Sequence, residues 1–87
     1  MNTQALLWAR RQNCGGAIEK GLLMQLAGIA DAHGVCLVSR ADLALWSELS
    51  RSAVERTLLT LRAHGLIRRA ASAEFTEIRL VMEGPGA

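Results

Sequence analysis

Between Ala17 and Ala32 the apolar residues Ile18, Leu22, Leu26 and Ile29 return at three- or four-residue spacing, with Leu23 and Ala30 beside them. That period predicts a helix with one buried stripe, closed by Gly34, which adopts a left-handed backbone at little cost. A second stripe, Val54, Leu58 and Leu61, predicts a helix over 51–64. Ser50 is its N-cap and Gly65 its stop. Between them lies the β-branched run "VCLV" (35–38), a brief strand. Ser39 follows as an N-cap with Asp42 three residues on, so a short helix runs to about Glu48. Upstream, "TQALLWARRQ" (3–12) reads as a short helix broken by "NCGG" (13–16). Downstream, "LIRR" (66–69), the small-residue turn "AASA" (70–73) and "EFTEIRLV" (74–81) form a hairpin. Its apolar members Phe75, Ile78 and Leu80 slip phase between Phe75 and Ile78, which predicts a bulge or a twisted edge.

The order is helix, helix, strand, helix, helix, then two strands. Two short helices joined by a tight turn and followed by a hairpin predict a mainly α fold with a small β-hairpin, a winged helix-turn-helix. Residues 1–16 form an N-terminal short helix and linker, 17–81 the domain, and 82–87 a frayed tail. The length of 87 residues allows one small domain. An apolar fraction of 51% excludes disorder, and with three aromatics the core must be Leu, Ile, Val and Ala. No apolar run reaches the roughly 18 residues that span a membrane, and no secretory signal is visible. A soluble, cytoplasmic protein with reduced thiols is expected.

Net charge is +2 and the isoelectric point about 8.9, which permits a nucleic-acid partner without demanding one. Position matters more. Of ten basic residues, Arg51, Arg56, Arg62, Arg68, Arg69 and Arg79 fall in the second half. With Val54 at zero on the 51–64 helix, Leu58 falls at about 40° and Leu61 at about 340°, toward the core. Ser52, Glu55, Arg56, Leu59 and Ala63 fall on the opposite half. Arg51 and Ser52 occupy the first turn, where a DNA-reading helix presents base-contacting side chains.

The stretch "LALWSELSRSAVERTLLTLRAHGLI" (43–67) resembles the pattern L-A-x-x-x-G-x-S-x-x-x-V-x-R-x-L-x-x-L-x-x-x-G-L-I of bacterial and phage winged-helix proteins. Leu43, Ala44, Ser50, Val54, Arg56, Leu58, Leu61, Gly65, Leu66 and Ile67 carry the match. "WARRQ" (8–12) and "EKGLLMQLAGIADAHGVCLVSRADLA" (19–44) extend it. Over roughly 6–69 the chain is similar to the N-terminal DNA-binding domain of phage and plasmid replication-initiation proteins and related small phage regulators. It departs from the pattern where the turn glycine is Glu48, and where Leu45, Trp46, Glu55 and Leu59 replace more polar or basic residues.

The resemblance implies duplex-DNA binding by a homodimer. Candidate contacts are Ser50, Arg51, Ser52, Glu55 and Arg56 on the reading helix, Arg68, Arg69 and Arg79 on the wing, and Arg40 beside the Ser39 cap. A transcriptional regulator is favoured over a replication-associated protein, since no second domain accompanies the motif. Glu55 is expected to accept from a cytosine amino group. Leu45, Trp46 and Leu59 offer an alternative, a protein-binding module such as an inhibitor of a host complex. For Trp46, burial under the preceding helix is the favoured expectation. Leu6, Leu7 and Trp8 are candidates for a dimer contact, weighed evenly against packing within the chain. His33 and Cys36 make H-x-x-C with no further ligands at metal spacing, so no metal or cofactor is expected. No nucleophile–base set or paired carboxylates point to an enzyme.

Overall fold

The first helix, α1 (Thr3–Arg11), starts on Asn2, whose side-chain oxygen accepts from the Ala5 amide. Its C-terminus is closed from a distance. Lys20 Nζ donates to the carbonyls of Ala9 (3.0 Å), Arg10 (2.9 Å) and Gln12. One ammonium thus serves three carbonyls at the helix end, of which Ala9 also accepts from the Gln12 amide. The computed structural model describes residues 2–71 and 75–82, and the side chains of Ala71 and Phe75 lie outside that description. Within it the chain forms four helices and a three-stranded antiparallel sheet. No helix among the described residues is long and apolar enough to cross a membrane.

Helix α2 (Ala17–Ile29) is shorter than its hydrophobic period predicts. Ala30 is already extended, and Asp31 Oδ1 accepts from the amides of His33 (2.8 Å) and Val35 (3.0 Å). That side-chain turn competes with further helix and turns the chain through Gly34 (φ +78°) into the first strand. Gly34 therefore ends the turn, not the helix. The buried face of α2 is Leu22, Leu23, Leu26 and Ala27, while Ile18 and Ile29 are exposed, so the stripe is rotated from its expected centre.

Strand β1 (Val35–Ser39) leads into α3 (Arg40–Ser47), capped by Ser39 accepting from the Asp42 amide. Glu48 takes the left-handed conformation (φ 58°, ψ 27°), so the tight turn forms without a glycine at that position. Helix α4 (Arg51–Ala63) follows, capped by Ser50, and its buried face is Val54, Thr57, Leu58 and Leu61. Gly65 (φ +74°) then admits β2 (Ile67–Ala71) and β3 (Phe75–Leu80). Residues 72–74, which include half of the expected turn, and the tail beyond Met82 are outside the described residues, while Ala70 and Ala71 continue β2.

The sheet order is β1-β3-β2, so β3 is central and the hairpin gains a third strand. Its register is continuous, from Val35↔Arg79 to Ser39↔Phe75 on one side and from Ile67↔Leu80 to Ala71↔Thr76 on the other. The expected bulge is absent along β3. Thr76, Ile78 and Leu80 all face inward, and the apparent phase slip arises because the inner position at 76 is polar. Cys36 and Val38 of β1 and Ile67 of β2 share that inner face with the helices.

Residues of α1 belong to the same core. Ala5, Trp8, Ala9 and Cys14 are buried in one cluster with Leu22, Leu26 and Ile78. Leu6 packs against it from the side. Trp8 therefore packs within this chain's interior, and of the N-terminal trio only Leu7 is substantially exposed.

Glu48 stores the cost of a left-handed side-chain-bearing residue. Glu48→Gly should raise unfolding free energy by about 1 kcal/mol, read as a higher urea midpoint at unchanged slope. An unchanged or lower midpoint would mean that the turn is relaxed with Glu in place.

Candidate nucleic-acid interface

With Val54, Thr57, Leu58 and Leu61 turned inward, α4 presents Arg51, Ser52, Arg56, Leu59 and Arg62 to solvent. Ser50 is committed to its own helix, its Oγ accepting from the Ala53 amide at 3.1 Å and lying 3.4 Å from Ser52 Oγ. Among the described residues Arg51 and Arg56 have no ion-pair partner. They are the two cations of the first half of α4 and stand clear of the fold.

Glu55 behaves otherwise. Arg69 Nη1 donates to Glu55 Oε2 at 2.9 Å and Nη2 to Oε1 at 2.8 Å, a two-point fork. Arg40 Nε approaches Oε1 at 3.4 Å from the other side. Arg69 Nε also donates to Thr76 Oγ1 at 3.0 Å, which gives the buried hydroxyl a partner. The cluster ties α3, α4, β2 and β3 together. Arg40 faces the same carboxylate. Glu55, Arg69 and Arg40, all expected as DNA contacts, are thus brought together here as one another's partners.

Arg68 and Arg69 are adjacent, yet strand alternation sends them to opposite faces. Arg69 lies opposite Ile78 on the inner face, and its side chain is only 13% exposed. Arg68 lies opposite Arg79 on the outer face, and both are exposed. This pair sits at the end of the hairpin away from residues 72–74.

The apolar candidates are on the surface. Leu45 is 72% exposed, Leu59 55% and Trp46 49%. Trp46 thus does not tuck under α2, although its carbonyl accepts from Gln25 Nε2 at 2.8 Å. Sequence reasoning passed over Arg62, exposed in the last turn of α4, and Thr76, the partner of Arg69; strict period-two alternation along β3 identifies the latter.

No family model matches this chain, and neither does any curated protein or solved structure.

The thiols are structural. Cys36 Sγ donates to the Leu26 carbonyl at 3.0 Å, and burial together with the Asp31 charge pushes its pKa up to about 12. Cys14 is raised chiefly by burial, with Lys20 opposing. A thiol held protonated is a poor metal ligand and a poor nucleophile.

Hydrogen bonds from Arg69 hold the Glu55 carboxyl below its ordinary value of 4.5; partial burial opposes them, and the charges of Arg69 and Arg40 add to them. A group lowered on folding stabilises fully above its unfolded value and loses that contribution as pH falls through the folded one. Glu55→Gln should therefore lower the urea midpoint at pH 7 and flatten the loss of stability between roughly pH 5 and 2. Asp31, lowered by the Val35 and His33 amides, remains as a background in both proteins. Parallel stability curves for the two proteins would show that the clamp contributes nothing.

Proposed function

We propose that this chain is a winged helix-turn-helix protein that binds duplex DNA. In this reading α3 and α4 form the helix-turn-helix, α4 enters the major groove, and the 66–81 hairpin runs beside it as the wing. The antiparallel order β1-β3-β2, with α3 and α4 inserted between β1 and β2, supports that arrangement. The observation that carries the function is the trio Arg51, Ser52 and Arg56, exposed on the first half of a helix whose other side is locked into the core. Arg51 in the first turn suits a guanine edge or a phosphate, Ser52 suits either, and Arg56 one turn on suits the backbone. The helix N-terminus adds its own attraction for phosphate.

One copy makes few such contacts. A homodimer on an inverted repeat doubles them, and it is the form expected of a small phage or plasmid transcriptional regulator. A second reading rests on Leu45, Trp46 and Leu59, whose exposure on α3 and α4 favours a protein partner for the same face.

Fluorescence anisotropy with random-sequence duplex across a salt series tests the first reading. Binding should weaken linearly on a log–log plot of affinity against salt. Arg51→Ala with Arg56→Ala should cut affinity at least tenfold and reduce the slope by up to about 2, at about 0.9 per phosphate lost. No binding at low salt, or binding indifferent to the double exchange, overturns it. A protein partner captured equally by both forms would then favour the second reading.

A further inference from the structure

A groove of about 610 Å³ opens at the end of the sheet where β1 begins and β3 ends. Arg68 and Arg79 line it, with Ala32 and His33 from the turn after α2 and Leu80, Val81 and Met82 from the β3 exit. We propose that this groove binds a phosphorylated small molecule of nucleotide size, with Arg68 and Arg79 as the oxyanion ligands.

The two arginines are direct cross-strand partners. Like charges at that spacing, with Cβ atoms about 5 Å apart, repel and weaken a sheet. Elsewhere this chain neutralises a paired guanidinium internally, as Glu55 does for Arg69. Here it does not. Among the described residues neither Arg68 nor Arg79 has an ion-pair or hydrogen-bond partner. Asp31 feels the Arg79 charge, but its Oδ1 is held by the His33 and Val35 amides. Glu77, one row along the outer face, forms no ion pair with either arginine.

Two neighbouring guanidinium groups suit a phosphate or diphosphate group. The volume falls in the range of about 300–1,000 Å³ typical of small-ligand sites, and the partly exposed Val81 and Met82 suit the body of such a molecule.

Arg68 and Arg79 lie on the outer face of the sheet, whereas α4 packs against the inner face, where Arg69 meets Glu55. The sequence pattern expects Arg68 and Arg79 as wing contacts to DNA, so a small phosphorylated ligand is a rival use of the same pair, while Arg51 and Arg56 on α4 are left to the duplex.

The test is calorimetric titration of the whole protein with pyrophosphate and with AMP, repeated with sodium chloride at matched ionic strength. Side-chain Nε–H signals of the arginines are followed by NMR. Saturable, submillimolar binding that shifts Arg68 and Arg79 and leaves Arg51 and Arg56 unmoved is expected. Arg79→Ala should weaken it at least tenfold, and Arg79→Lys, which keeps the charge but loses the fork, by less. Both side chains point to solvent, so the variants should fold and remain at least as heat-stable as the parent. Non-saturating heats, or equal shifts in chloride, overturn the proposal. Loss of duplex affinity in an Arg68→Ala, Arg79→Ala protein, with a salt slope lower by about 2, also overturns it, because the pair would then be serving the DNA backbone. Failure of the DNA reading is separately visible: Arg51→Ala with Arg56→Ala changes nothing, while pyrophosphate still binds.

Discussion

The central position of β3 constrains everything around it. It is hydrogen-bonded on both sides, so its register with β1 and with β2 fixes which face every neighbouring residue takes. Ile78 is fully buried, and its partners Cys36 and Arg69 must therefore turn inward. Arg79 is outward, and so are Val35 and Arg68. One register thus places a guanidinium against the core and, one residue earlier, a pair of like charges in solvent.

The inward guanidinium has to be satisfied where it lies, because an unpaired charge at the edge of a core is costly. Glu55 provides the carboxylate and Thr76 the remaining acceptor, and Arg40 closes the far side. The partners come from α3, α4, β2 and β3. The cluster is partly exposed and contributes modestly to stability, but its geometry is specific. A two-point fork fixes orientation as well as distance, so the turn of α4 about its own axis is set jointly by Leu58 and Leu61 below and by Arg69 at its flank. Arg51, Ser52 and Arg56 are aimed outward as a consequence.

Much of this was legible in the sequence, element by element. The α4 stripe, its Ser50 cap and its Gly65 stop each act locally, and each is found where the pattern puts it. The end of α2 was not legible. The apolar period runs on past Ile29, whereas a single side chain, Asp31, draws off the backbone amides of two residues and turns the chain. The β3 phase misled because hydrophobicity is a proxy for burial, and at position 76 a threonine is buried by virtue of its arginine partner. The Arg69–Glu55 pairing was hidden for a related reason. Arg69 and Glu55 are fourteen residues apart, and nothing in either helical or strand periodicity announces that they meet.

A net charge of +2 says little about where this protein attracts anions. Lys20 is engaged with the end of α1, and Arg40 and Arg69 face Glu55. Once these internal attachments are set aside, seven arginines remain exposed: Arg10 and Arg11 at the end of α1, Arg51, Arg56 and Arg62 on α4, and Arg68 with Arg79 as a cross-strand pair on the sheet. Arg68 and Arg79 stand on the outer face of the sheet, while α4 covers the inner face, where Arg69 meets Glu55. Basic residues that read as one patch in the sequence are therefore divided between two faces of the fold and distinguished by what surrounds each: an exposed helix face for Arg51 and Arg56, and a groove for Arg68 and Arg79.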